Sequence, residues 1–360
     1  MTPQVVEIIS QHHEVTVVAG AGERAGFTDA DYEKAGATVV DDPPTDAELV
    51  TVVGPPSTES VAAYPQGSVV VGFLDPFHAT DLIRALADRR VTAFAVEAIP
   101  RITLAQSMDA LSSQASAAGY HAVLLAAAST PRIFPMMITA AGTVPPIKVL
   151  VLGAGVAGLQ AIATAKRLGG VISAYDIRPT AREQIESLGA KFIAAPTDES
   201  AAAVSGYAKE VADETQRRQQ HALAPHVANS DVVITTAQIP GAAAPMLVSQ
   251  EMVEQMRPGS VIVDMAAGTG GNCELSRPDE EVRHAGVLVL GPTDLASRVA
   301  VAASEMYARN LAAFIDRLCD DAGGLAIDLD DEIVGESCIT HEGAIVHPIA
   351  RRALGLEAES

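Results

Sequence analysis

The sequence predicts an α/β protein built from two Rossmann-like domains with parallel sheets. Three observations predict it. Short β-branched runs alternate with helical segments at crossover spacing. A glycine fingerprint stands between an apolar run and an Ala/Leu helix, and the strand–helix alternation starts again from that point. The 360 residues suit about two domains of ~150 residues, ample for cores that need no metal or disulfide staple.

The first series has strands expected at 15–18, 37–40, 49–53, 68–73 and 92–96, with helices at 29–35 and 81–87 between them. A polar helix is expected from about 103 to 119, continuing through an Ala-rich stretch to about 128. Residues 134–146 place two apolar arms around Ala141-Gly142, the composition of a hairpin turn. That segment reads either as a plain interdomain crossover or as an arm whose Met and Phe side chains need a partner surface. The second series has strands at 149–152, 170–175, 191–195, 231–236, 260–266 and 287–290, with a polar, helix-favouring stretch at 201–227. A helix at 300–318 and two short strands at 326–329 and 344–347 close the chain.

Composition excludes several functions. Forty-five acidic against 24 basic residues give a net charge of −21, which repels phosphate backbones and anionic lipid. No nucleic-acid partner and no direct membrane insertion are therefore expected. The longest charge-free apolar stretch, 149–165, is shorter than the ~20 residues of a span and is broken by Gly-Ala-Gly. Residues 1–20 carry no secretory signature. Cys273, Cys319 and Cys338 are widely spaced with no CxxC, so no metal site and no disulfide framework are expected. A reducing, cytoplasmic setting follows.

Gly153, Gly155 and Gly158 form GxGxxG directly after the apolar run 149–152. The first glycine permits a tight turn, the second lets a pyrophosphate approach the backbone, and the third lets helix and strand pack closely. Ala154, Gly155 and Val156 would then lie under the phosphates at the helix N-terminus. Asp176 follows Gly153 by 23 residues, at the end of the next expected strand. A carboxylate there accepts hydrogen bonds from ribose hydroxyls and repels a 2′-phosphate, which favours NAD(H) over NADP(H). Arg178, two residues on, works against that discrimination. A second glycine cluster, Gly20, Gly22 and Gly26, has its third glycine one residue late and Glu23 and Arg24 inside, so no second nucleotide site is expected.

Arg101, Gln106, Asp109, Ser112 and Ser113 gather polar groups on the expected helix 103–119. They read either as a solvated face or as the lining of a cleft beside the nucleotide.

This segment, the hairpin-like 135–146, the fingerprint with Lys166-Arg-Leu-Gly, Thr235-Thr-Ala-Gln238-Ile-Pro-Gly241 and Gly271-Asn272-Cys273 together resemble one family. It is domain I, the NAD(H)-binding α subunit, of proton-translocating NAD(P) transhydrogenase, within the alanine dehydrogenase/transhydrogenase superfamily. The resemblance implies a discontinuous domain 1 from residues 1–115 and 296–360, a Rossmann domain 2 at 116–295, and a nucleotide cleft between them. It implies direct hydride transfer from NADH to NADP⁺ held by a separate domain III, coupled to proton movement by a membrane domain II. Arg101, Gln106, Asp109 and Ser112 would position the nicotinamide. Asp176, Ile177 and Arg178 would surround the adenosine ribose, with Gln219 and Gln238 as further contacts. Gly206 and Tyr207 would belong to a loop closing over nucleotide. The hairpin near Ala141-Gly142 would join a homodimer, placing the subunit on the cytoplasmic face of the membrane through its partners.

Two alternatives remain. The family begins with a further strand and loop before its Thr-Pro, whereas Met1 stands immediately before Thr2-Pro3 here. Leu104, Gln238, Ala242 and Ala296 also depart from the family's usual residues. A nucleotide-binding subunit without competent chemistry fits those departures. The other alternative is an alanine dehydrogenase-like enzyme, which shares the fold. Oxidative deamination needs proton relays and a carboxylate clamp, and the cousin's lysine position reads Val53-Gly54-Pro55-Pro56 here.

Overall fold

A computed structural model describes residues 1–194, 208–239, 241–320 and 322–356. The chain divides into two compact units, Met1–Gln114 with Val299–Ser360, and Ala115–Arg298.

The unit of residues 115–298 carries a seven-stranded sheet. Its order is Lys191–Ile193, Val171–Tyr175, Lys148–Leu152, Val232–Thr235, Val261–Asp264, Val287–Leu290 and Glu281–His284. All neighbours pair in parallel except the last two. The inner strands are near-continuous Val/Ile/Leu runs because helices cover both faces. Ala161, Ile162 and Ala165 of helix Val156–Arg167 pack with Val149, Val151 and Ile172 on one side. Leu150, Leu152, Leu223, Val227 and Met252 fill the other. Strand order reverses around Lys148–Leu152, the switch point at which such sheets bind ligands beyond their carboxyl ends. The antiparallel edge strand Glu281–His284 is not expected from sequence. It exists because Ala285 and Gly286 both hold positive φ, 49° and 80°, the two-residue turn that matches strand twist.

In the other unit a five-stranded sheet runs Ala344–Ile345, Cys338–His341, Thr92–Ala95, Val69–Gly72 and Leu49–Val52. The last three strands are parallel. Helix Ala300–Arg317 buries Tyr307, Leu311 and Phe314 against Val69, Val71 and Phe94, with Phe94 and Phe314 edge to face at 5.5 Å.

Four expectations are corrected in this unit. Thr16–Val18 and Thr38–Val40 do not join the larger sheet; they pair in parallel with each other alone. Residues 326–329 form no strand, and only Leu325 bridges, to Cys319. The partner strand is Cys338–His341 instead, whose Cys338 and Ile339 are buried where 326–329 are half exposed. The polar helix is two elements, a 3₁₀ turn Thr103–Met108 and the helix Ala110–Ser129. The break falls at Asp109 (φ −72°, ψ 82°), so Gln106 and Asp109 do not share one helix face.

Met137–Thr139 and Gly142–Val144 pair as an antiparallel hairpin with all six residues exposed, Ile138 at 74%. The glycine decoy is a packed turn: a Cβ on Gly22 would lie 2.6 Å from the Tyr32 ring. Among the described residues no helix is long and apolar enough to cross a membrane, and no group of three or more His, Cys, Asp or Glu side chains could hold a metal ion.

Candidate functional site

The glycine turn is built by steric exclusion. Gly153 has φ +101°, and a Cβ there would fall 2.6 Å from the Thr236 hydroxyl. A Cβ on Gly158 would sit 1.9 Å from the Gly153 carbonyl oxygen. By contrast, nothing lies within 4 Å of a Cβ built on Gly155. That open position is the N-cap of helix Val156–Arg167, which has no side-chain cap, so backbone N–H groups face it. Val156 follows with its side chain exposed at 43%.

Asp176, only 8% exposed, closes the adenosine side of the turn. Its Oδ2 accepts the Ala154 N–H at 2.7 Å, which ties the end of the second strand to the glycine turn. Arg178 bonds the same carboxylate three times: backbone N–H to Oδ1 at 2.8 Å, Nε to Oδ1 at 2.9 Å and Nη2 to Oδ2 at 3.0 Å. Burial works to raise the Asp176 carboxyl, but the hydrogen bonds from Arg178 and Ala154 outweigh it and hold the group below its ordinary value. Ile177 projects at 60% exposure beside it, an apolar surface of the size a base ring covers.

The remaining candidates of this unit are less closely gathered. Gln238 is exposed, and its amide donates to the Met265 carbonyl at 3.2 Å. Gln219 is half-buried on helix Ala208–Ala228. Gly206 and Tyr207 lie outside the described residues.

In the first unit, Asp109 caps helix Ala110–Ser129: its Oδ1 accepts the Ser112 N–H at 2.8 Å and its Oδ2 the Ser112 hydroxyl at 2.6 Å. This local bonding is why the helix starts there. Ser113 donates to Asn310 Oδ1 at 2.7 Å, and Asn310 Nδ2 donates to the Ser107 carbonyl at 2.7 Å, so the turn is pinned from behind. Arg101 and Gln106 point into solvent.

Three functional positions are not legible in sequence. Glu97 Oε1 accepts the N–H groups of Leu74 and Asp75 at 2.9 and 2.7 Å, and burial pushes its carboxyl up. Asp264 and Asn272, both fully buried, bond to the loop behind the glycine turn. Cys273 beside them is no nucleophile, since burial drives its thiol up to about 12.

A glycine turn at the switch point of a 3-2-1-4-5-6-type sheet, closed by a carboxylate, defines a dinucleotide-binding protein of the Rossmann class. Family models described as alanine dehydrogenase/PNT, N-terminal domain, and alanine dehydrogenase/PNT, C-terminal domain, match residues 1–118 and 122–348. The chain belongs to the alanine dehydrogenase/PNT family. It is 46% identical to an NAD(P) transhydrogenase subunit alpha chain of Rhodospirillum rubrum, over 97% of this chain and 94% of that one. A crystal structure of transhydrogenase from Sinorhizobium meliloti aligns with TM-score 0.83 at 43% identity, covering 96% of this chain and 94% of that chain. A structure of L-alanine dehydrogenase aligns at 0.81 with 25% identity, covering 99% and 94%. The fold is thus common to both branches, and the sequence stands nearer the transhydrogenase subunits.

Proposed function

We propose that this chain is the NAD(H)-binding subunit of an NAD(P) transhydrogenase. In this reading it holds NADH for direct hydride transfer to NADP⁺ on a partner domain III, while a membrane domain II couples transfer to proton translocation. The reading rests on the glycine turn closing on Asp176, in a chain 46% identical to a transhydrogenase alpha subunit along nearly its whole length.

The turn fits a dinucleotide. Space is open at Gly155, where a pyrophosphate meets the N–H groups of helix Val156–Arg167. Asp176 would hold the adenosine ribose, with Ile177 against the base. Each Asp176 oxygen already accepts two hydrogen bonds, so ribose hydroxyls need the Arg178 side chain, 56% exposed, to swing away.

Bound NADH supplies the hydride. Transfer between two nicotinamide rings moves no proton at either carbon, so the protein must align and shield rather than act as acid or base. Arg101, Gln106, Asp109 and Ser112 suit that role, with one cation, one neutral amide, and a carboxylate–hydroxyl pair held rigid by capping. Gln219 and Gln238 would add contacts, and Gly206 and Tyr207 would belong to the loop that closes over nucleotide.

An amino-acid dehydrogenase would need a proton relay. At the end of strand Leu49–Val52 stand Val53-Gly54-Pro55-Pro56, with no lysine. His78, nearby in sequence, is an exposed partner of Asp75 at 2.8 Å.

The exposed apolar hairpin Met137–Val144, in the same reading, exchanges between two copies to form a homodimer, and the acidic subunit sits on the cytoplasmic face of the membrane through its partner domains. A fluorescence titration tests the nucleotide assignment. NADH is expected to bind the isolated chain at least tenfold more tightly than NADPH, roughly what loss of a charged hydrogen bond costs. Equal affinity for the two would remove Asp176 from the ribose site.

A further inference from the structure

The Gly271-Asn272-Cys273 segment makes no contact assigned to the dinucleotide, yet it holds the most completely bonded polar side chain near the turn. Asn272 is fully buried and uses every hydrogen-bonding group it has. Its backbone N–H donates to Asp264 Oδ2 at 2.8 Å, and its carbonyl accepts the N–H groups of Leu247 and Val248, both at 2.9 Å. Its side-chain Oδ1 accepts the Ala237 N–H at 3.0 Å, while Nδ2 donates to the carbonyls of Ala237 and Pro245, both at 2.8 Å. One amide side chain therefore grips both polar groups of Ala237, as a neighbouring strand would.

Asp264 anchors this junction. Its carboxylate accepts four hydrogen bonds: from the Thr235 hydroxyl at 2.8 Å, Ala266 N–H at 3.0 Å, Asn272 N–H at 2.8 Å and Cys273 N–H at 3.0 Å. Gly271 is required there on two counts. Its φ is +81°, and a Cβ would lie 3.0 Å from Asp264 Oδ2.

The network ends on the glycine turn. Thr236, between Thr235 and Ala237, donates its hydroxyl to the Gly153 carbonyl at 3.0 Å. The Ala237 nitrogen lies 3.1 Å from the Cβ position of Gly153, and the Thr236 hydroxyl 3.1 Å from that of Gly158. The glycine turn thus has a wall behind it, and Asp264 and Asn272 set where that wall stands. Fully satisfied buried networks are rigid, and removing one member leaves its partners unpaired.

We infer that Asp264 and Asn272 are positioning residues for the dinucleotide turn: through Ala237 and Thr236 they fix the glycine backbone at the place where the pyrophosphate binds. The inference rests on the NAD(H) reading and extends it to two residues that touch no nucleotide.

The test compares NADH with adenosine, which reaches only the Asp176 end, on the full chain. Asn272→Ala is expected to weaken NADH about tenfold, the effect of unpairing one buried group, and to leave adenosine binding, followed by ligand-observed NMR, unchanged. Thr236→Val, which keeps shape and removes only the bond to Gly153, is expected to weaken NADH about threefold with adenosine again unchanged. Should Asn272→Ala not fold, the Thr236→Val ratio decides alone. An unchanged NADH affinity, or equal losses for NADH and adenosine, overturns the inference, because the second outcome marks a general loosening of the domain. A wild-type chain that binds no NADH overturns the underlying NAD(H) reading, and this inference with it.

Discussion

The glycine turn and the Arg101–Ser112 segment are built in opposite ways. At the turn, function rests on what is missing: Gly153 and Gly158 have no room for a Cβ, and Gly155 leaves space open. In the Arg101–Ser112 segment it rests on side chains, with Asp109 and Ser112 locked to each other and Arg101 and Gln106 free in solvent. A site made by exclusion tolerates almost no substitution. One made by side chains is expected to lose alignment while keeping its fold.

Gly158→Ala should give the largest effect. The added carbon meets the Gly153 carbonyl at 1.9 Å, so helix and strand must part. Calorimetry should show roughly 1–3 kcal/mol of lost stability, and NADH affinity should fall about a hundredfold. A variant that binds normally would show that the turn does not carry the nucleotide. Asp176→Ala comes next, with about a tenfold loss of NADH affinity and a smaller preference over NADPH, read by titration.

Asp109→Asn sharpens the contrast. Asparagine caps as well as aspartate, so the melting temperature and NADH affinity should hold while reconstituted hydride transfer falls about tenfold. Unchanged turnover would leave Asp109 a helix cap and nothing more. Smallest of all is Ile138→Asp in the exposed hairpin, with stability within ~0.5 kcal/mol of wild type and NADH affinity unchanged. Sedimentation should nevertheless show the dimer dissociating; a wild-type monomer would remove the exchanged hairpin.

The pH dependence follows from Asp176. Its carboxyl titrates lower in the folded chain than in the unfolded one, despite burial, because Arg178 and Ala154 bond the ionised form. The stabilisation is therefore fully present above the unfolded carboxylate range, near pH 4, and is lost as pH falls through the lower folded value. NADH affinity followed from pH 8 to pH 5 should show no step from this group.

What sequence makes legible divides along the same line. A glycine spacing plus an apolar run locates the turn, because backbone sterics are local. The Ala285-Gly286 hairpin escapes notice because alanine rarely signals positive φ. The strand at Cys338–His341 is hidden because burial by helices Ala300–Arg317 and Glu332–Ser337, not alternation, selects it over 326–329. Asp264 and Asn272 give no signal at all: their partners lie up to 35 residues away in the chain. The capping role of Asp109 is readable from Asp-x-x-Ser spacing, yet the amphipathic reading of 103–119 obscures it.

The central claim is tested most directly by mixing the chain with an NADP(H)-binding transhydrogenase domain III and following reduction of a spectrally distinct NADP⁺ analogue by NADH. The account predicts reduction that requires both proteins, and no NADH formation from NAD⁺ and L-alanine by the chain alone. Alanine-dependent NADH formation, with no transfer in the mixture, would contradict it.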